Sequence, residues 1–177
     1  MRYPGRVEPG TRNSEFADLN DILPTCLYAA GLDYPGEYEL PGESLLAENP
    51  QKDRTVQYVE NGWVEYERGA NRWTMLRNAK YKYTHFINGG EELFIDMEND
   101  PQEVNNLMLT ERTSEQEEAR RNLRTQLLEY ETKWGLENAV ADNDFVIYDA
   151  FDRKPGSPPV RNAQLPYWCD TLCDGEK

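Results

Sequence analysis

A chain of 177 residues is long enough for one ordinary domain with a real core and short for two full ones. Its 38% hydrophobic and 11% aromatic residues argue for folding, while 29% charged residues and a mean hydropathy of -0.88 argue for a thin core under a large wet surface. The net charge of -14 opposes binding to nucleic acid or an anionic membrane, no apolar run approaches the roughly 20 residues of a membrane span, and the opening residues lack the apolar segment of a signal peptide, so the sequence as written reads as cytoplasmic.

In chain order, residues 1–11 carry two turn signals, Pro4-Gly5 and Pro9-Gly10, and with Arg2, Arg6 and Arg12 form the most basic part of an acidic chain, an extended surface arm. Residues 16–31 predict a helix. Asp18 is placed to cap it, Asp21 adds negative charge to the first turn, Pro24 falls where its missing N–H does least harm, and Gly31 stops it. Leu19, Ile22, Leu23, Cys26, Leu27 and Ala30 recur at helical spacing as one stripe, with Cys26 expected as a small buried hydrophobe. Residues 32–49 are a connection punctuated by Pro and Gly.

A sheet follows. Residues 54–60, 72–77, 81–87 and 91–96 alternate as strands do, and Trp63 to Tyr66 form a short edge strand or part of a long hairpin. Gly89-Gly90 supplies the backbone freedom for a reversal, and Asn99-Asp100-Pro101 ends the last strand, with Asp100 capping a helical turn that Pro101 opens. Residues 114–134 give the strongest helix. Ser114 and Glu117 match a capping box, Lys133 lies near the end before Gly135, and Leu123, Leu127, Leu128, Tyr130 and Trp134 supply an apolar face to lie across the sheet. Its acidic run reads as a solvated face rather than a metal or partner site. The fold class is therefore α+β, a small four-stranded antiparallel sheet covered by a long C-terminal helix. Residues 136–177 read as an irregular tail in which residues 145–148 could add a strand, residues 154–159 break structure, and Tyr167 and Trp168 dock.

Three blocks of this sequence, in order, resemble the sulfatase family. The first is the turn around Arg2-Tyr3-Pro4-Gly5 and the helix with Asp21, Ile22, Pro24, Thr25, Leu27, Ala30 and Gly31; the second is the run from Pro41 to Leu46. The third is Lys82, Tyr83, Glu91, Glu92, Leu93, Asp96, Asn99, Asp100, Pro101, Glu103, Asn106 and Leu107, with Phe94 where the family usually has tyrosine. The resemblance covers Arg2 to about Leu109 and, by position, the long helix. It implies three parts: residues 1–50 as the end of the catalytic α/β domain, 51–135 as the C-terminal subdomain, and 136–177 as the tail. It also implies that in a complete enzyme this portion packs against the large domain and lines one side of the substrate cleft, with a sulfated carbohydrate as ligand, and that family members are often exported.

Sulfatases of this kind use an oxidised cysteine or serine, a calcium site of Asp and Asn, and Lys and His around the sulfate. The resemblance puts those motifs upstream of Met1, so calcium and the oxidised residue are expected only in a complete family member; Cys26 does not lie in the Cys/Ser-x-Pro-x-Arg pattern. Cys169 and Cys173 could close a disulfide or give two metal ligands, but zinc wants four and the chain has a single histidine, His85, so no metal site is expected. No Ser/His/Asp set, Gly-rich phosphate loop or HExxH stands out. Glu92 and Asp96 share a strand face that Glu91 does not, and a solvated strand edge explains them without an acid/base role. His85, on the opposite parity from Thr84 and Phe86, is the one candidate substrate-contact side chain, facing solvent or a partner domain. No catalytic residue is assigned. The expected function is a C-terminal fragment of a sulfuric ester hydrolase that supports the cleft without turning over alone. The alternative is a non-catalytic assembly module that self-associates as a homo-oligomer or pairs with a separately encoded upstream catalytic half.

Overall fold

The computed structural model describes residues 2–47, 54–61, 73–135 and 139–148, which fall into two compact units, Met1–Gln57 and Tyr58–Lys177. Strand expectations at Trp63 to Tyr66, and everything expected of residues 149–177, including Cys169 and Cys173, lie outside the described residues.

In the first unit a single 3-10 turn, Leu19–Asp21, leads into helix α1, Ile22–Ala30. Asp18 is a cap, but of the 3-10 turn: its carboxylate accepts from the Asn20 N–H at 2.9 Å while Asp21 reaches back to the Asp18 N–H at 2.9 Å, a reciprocal box that settles two orphan donors. Pro24 sits in the first turn of α1, and Gly31 ends it in the left-handed conformation, φ 68°, where a Cβ is penalised. The segment after it folds back on the helix start. Thr25 Oγ1 accepts from the Leu45 N–H at 2.9 Å, Asp21 accepts from the Glu43 N–H at 2.9 Å, and Gly42 passes so close that a Cβ there would lie 2.1 Å from the Asn20 carbonyl oxygen. Residues of the first two signature blocks thus bind one another.

The second unit is a four-stranded antiparallel sheet in the order β1 (Gln57–Asn61), β2 (Trp73–Arg77), β3 (Tyr81–Phe86), β4 (Glu92–Asp96). Asn78 closes the β2–β3 turn by accepting from the Lys80 and Tyr81 N–H groups at 2.9 and 2.7 Å. Gly89 and Gly90 both adopt positive φ between β3 and β4, as the reversal requires. The register pairs Thr74 with His85 and His85 with Glu92, and Leu76 with Tyr83 and Tyr83 with Phe94, so these side chains share one face.

Helix α2, Ser114–Trp134, covers that face with Leu123, Leu127 and Glu131, a buried stripe at four-residue spacing. Its cap differs from the expected Ser114–Glu117 box by one residue. Thr113 Oγ1 accepts from the Gln116 N–H at 3.2 Å and Gln116 returns to the Thr113 N–H at 2.9 Å. Glu117 is taken instead by Arg112 and Arg120, each at 2.8 Å. At the far end Tyr58 stacks on Tyr130, ring centroids 3.9 Å apart, and its hydroxyl donates to Glu131 at 2.7 Å.

At Pro101 the chain makes a single hydrogen-bonded turn, Glu103 N–H to Asp100 O at 3.0 Å, which does not continue as a helix. Asp100 spends its carboxylate on the Val104 and Asn105 N–H groups at 3.0 and 2.7 Å, and Glu103 takes a positive φ of 57°, which breaks a right-handed helix. The next helical turn is 3-10, Leu107–Leu109, capped by Asn106. Buried Asn106 also accepts from the Phe94 N–H at 3.0 Å and donates to the Glu92 carbonyl at 3.1 Å, standing in for a strand along β4. Within the stretch expected as an irregular tail, β5 (Val140–Ala141) and β6 (Asp144–Phe145) make a hairpin, and Tyr148 joins the β3–β4 loop through Tyr148 N–H to Ile87 O at 3.0 Å and Gly89 N–H to Tyr148 O at 2.9 Å. Asp142 and Asn143 carry the positive φ of its two-residue turn.

Candidate functional site

The densest chemistry in the second unit is a charged seam where β4, α2 and the β5–β6 hairpin meet. Arg120 and Arg124 lie one helical turn apart on α2, so both project toward the sheet beside the apolar stripe. Arg120 donates to Glu92 at 2.9 Å and to Glu117 at 2.8 Å; Arg124 lies 3.5 Å from the other Glu92 oxygen and 2.5 Å from Asp144. Arg112 completes the chain through Glu117. Hydrogen bonds from Arg120 and Arg112 hold the Glu117 carboxyl down at about 2, and the bond from Arg124, helped by the Phe145 N–H, lowers that of Asp144. Three guanidiniums thus face three carboxylates, so the seam is a neutral lock, and an incoming anion would have to displace a carboxylate that already has its partners.

His85 lies under this seam rather than facing solvent. It is 2% exposed, its ring stacks on Phe145 with centroids 4.2 Å apart, and neither ring nitrogen finds a hydrogen-bond partner among the described residues. Burial pushes its pKa from 6.5 down to about 4, with Arg124 adding to the depression against the opposing pull of Glu92 and Asp144. His85 does point to the opposite face from Thr84 and Phe86, but the face it shares with Tyr81 and Tyr83 is the one α2 covers. Glu92 and Asp96 do share a face, yet neither is a solvated edge group. Glu92 is paired as above, and Asp96, 8% exposed, gathers the Glu98 and Asn99 N–H groups and the Asn99 amide. Lys82 pairs with Glu103. The helix arginines were legible only as part of a charged surface, although their four-residue spacing beside Leu123 and Leu127 is the signal that places them inward.

The first unit holds a second lock and an open face. Asp21, fully buried, receives a two-pronged Arg54 guanidinium at 2.7 and 2.8 Å. Burial alone would raise its pKa; the Arg54 bonds and the Glu43 and Asp18 N–H groups outweigh that and lower it. Asp18 is raised, by burial and the neighbouring Asp21 charge. In contrast the apolar stripe of α1 lies open. Leu19 is 82% exposed, Ile22 55% and Leu23 49%, and Cys26 is exposed rather than buried, because it belongs to that same uncovered face. Among the described residues no group of three or more His, Cys, Asp or Glu side chains comes together.

A helical segment locked by its own signature residues, followed by a four-stranded sheet under one long helix, is a C-terminal portion of the sulfatase family. The chain belongs to the family described as N-sulphoglucosamine sulphohydrolase, C-terminal, which it matches over residues 1–133. It is 37% identical over 89 residues to a Delta 4,5-hexuronate-2-O-sulfatase of Bacteroides thetaiotaomicron, an overlap of 49% of this chain and 18% of the relative. To an N-acetylglucosamine-6-O-sulfatase of the same organism it is 27% identical over 154 residues, 84% of this chain and 27% of the relative. A solved structure of a protein in complex with its substrate D-glucosamine-2-N,6-O-disulfate superposes with a TM-score of 0.50 and 26% identity, over 64% of this chain and 23% of the other. The chain therefore spans about a quarter or less of the length of these proteins.

Proposed function

We propose that this chain serves as the C-terminal part of a sulfuric ester hydrolase acting on a sulfated carbohydrate, that it supplies structural support and one wall of the substrate cleft, and that it has no turnover alone. The observation that carries the reading is the uncovered apolar face of α1, which a lone folded unit has no reason to keep and a large catalytic domain would cover. The internal pairing of the signature residues supports it too, since Asp21, Thr25, Asp96, Asp100 and Asn106 are all spent on holding the fold. The nucleophile, the calcium ligands and the sulfate-binding cations then belong to the catalytic part, where calcium would act as Lewis acid and as a clamp on the sulfate. The substrate class rests on the names of the relatives and on the disulfated glucosamine bound by the structural neighbour.

The test is an aryl sulfate assay on the purified chain, alone and combined with a polypeptide carrying the catalytic domain. Silence alone and turnover on combination is the expected result; turnover by the chain alone overturns the reading. The exposed stripe also favours a second reading, a non-catalytic assembly module whose α1 faces pair with each other. Light scattering decides for it if the chain is a stable dimer and combination with the catalytic part yields no turnover.

A further inference from the structure

We propose that the β5–β6 hairpin is an acid-released clasp: protonation of His85 beneath it detaches residues 139–148 from the sheet while the sheet and α2 stay folded. Phe145 stacks on His85, Asp144 pairs with Arg124, whose guanidinium lies 5.2 Å from the Phe145 ring centre, and Tyr148 exchanges two backbone bonds with the β3–β4 loop. Ile147 packs on Gly90, where even a Cβ would come within 2.8 Å of its Cδ1.

What lies beneath is poorly matched. The neutral imidazole carries one N–H and one lone pair, both buried without partners among the described residues, and opening exposes both to water. A proton turns the ring into a cation between groups that cannot neutralise it. On β2 its neighbour in register is Thr74, and on β3 Tyr83 shares its face. On β4 Glu92 is divided between Arg120 and Arg124; α2 brings the like charge of Arg124; and the hairpin brings Asp144, already bonded to Arg124. An imidazolium held there is dehydrated and beside a guanidinium, and lifting Phe145 is the shortest route to water.

The ring is the single histidine of the chain, which makes the test direct. On the full chain, the imidazole resonances are followed by NMR from pH 7.5 to 3.5, and hydrogen exchange of residues 139–148 and of β3 is measured over the same range and corrected for intrinsic rates. With a closed-state pKa of about 4 and an ordinary value of 6.5 when open, the hairpin opening equilibrium should rise about 20-fold between pH 7 and pH 5. β3 should stay protected through that range. In His85→Gln and His85→Phe the hairpin protection should be flat over it; two variants are used because one could disturb the packing under Phe145. A ring that titrates near 6.5 with the hairpin still protected overturns the proposal. So does opening that persists in both variants, which would assign the release to the Asp144 and Glu92 carboxylates.

Discussion

Asp21 shows how a single carboxylate organises the first unit. It satisfies the Asp18 and Glu43 N–H groups and both prongs of Arg54, tying the start of α1 to the strand-like segment after it and to the approach to β1. Replacing it as Asp21→Asn leaves the largely buried Arg54 guanidinium to Asp18, 3.3 Å away, and the expected cost is about 2 kcal/mol, read from urea unfolding. The sign of its pH dependence follows from the lowered pKa: the contribution is present above the unfolded value of 3.8 and is lost as pH falls through the lower folded value. His85 acts in the same direction over a different window. Its folded pKa of about 4 lies below the unfolded 6.5, so between those values the unfolded chain binds the proton that the folded chain refuses, and stability rises with pH. The chain should lose about 2 kcal/mol of stability from pH 7 to pH 5, and His85→Phe should remove most of that slope in paired urea titrations, unless opening of the clasp relieves the ring first and caps the loss.

At the scale of elements, α2 offers a discriminating prediction because its sequence contains two overlapping capping boxes. Thr113→Ala should cost about 1 kcal/mol and Ser114→Ala a few tenths at most, measured by thermal unfolding; the reverse order would place the cap at Ser114. The strands and the long helix were legible in the sequence because alternation and four-residue spacing are local and strong. The cap register was not, since Ser114-x-x-Glu117 and Thr113-x-x-Gln116 satisfy the same pattern and only Arg112 and Arg120, by claiming Glu117, decide between them. That the Pro101 turn stops after one bond was hidden for a similar reason: Asp-Pro is the ordinary start of a helix, and nothing local announces that Glu103 will turn left-handed. His85 reads as facing solvent or a partner domain and Glu92 as a solvated edge group because a strand pattern separates two faces without saying which one a distant helix will cover. The seam itself depends on Arg124 meeting Asp144 across 20 residues, which no window of sequence contains.

For the whole molecule, the signature residues and the open surface divide the work. Residues that mark the family are consumed inside the piece, as turn acceptors, strand substitutes and ion-pair partners, so they report that this portion folds rather than what it binds. Under the proposed function, contact with a catalytic part falls on surface left unused by folding, and at the start of α1 that surface is apolar, with Ile22 and Leu23 exposed beside Leu19 of the preceding 3-10 turn. Substituting Ile22→Lys and Leu23→Lys together removes exposed apolar area without touching Asp21, Thr25 or the Arg54 pair that hold the unit. Urea unfolding should change by less than about 0.5 kcal/mol, as for surface sites in general, while binding of an apolar dye falls. Combined with the catalytic part, the double variant should lose most of its turnover, because two lysines would have to be buried in the joint. If turnover on combination survives intact while dye binding drops, the α1 face lies outside the joint, and the cleft wall must be approached from the sheet instead.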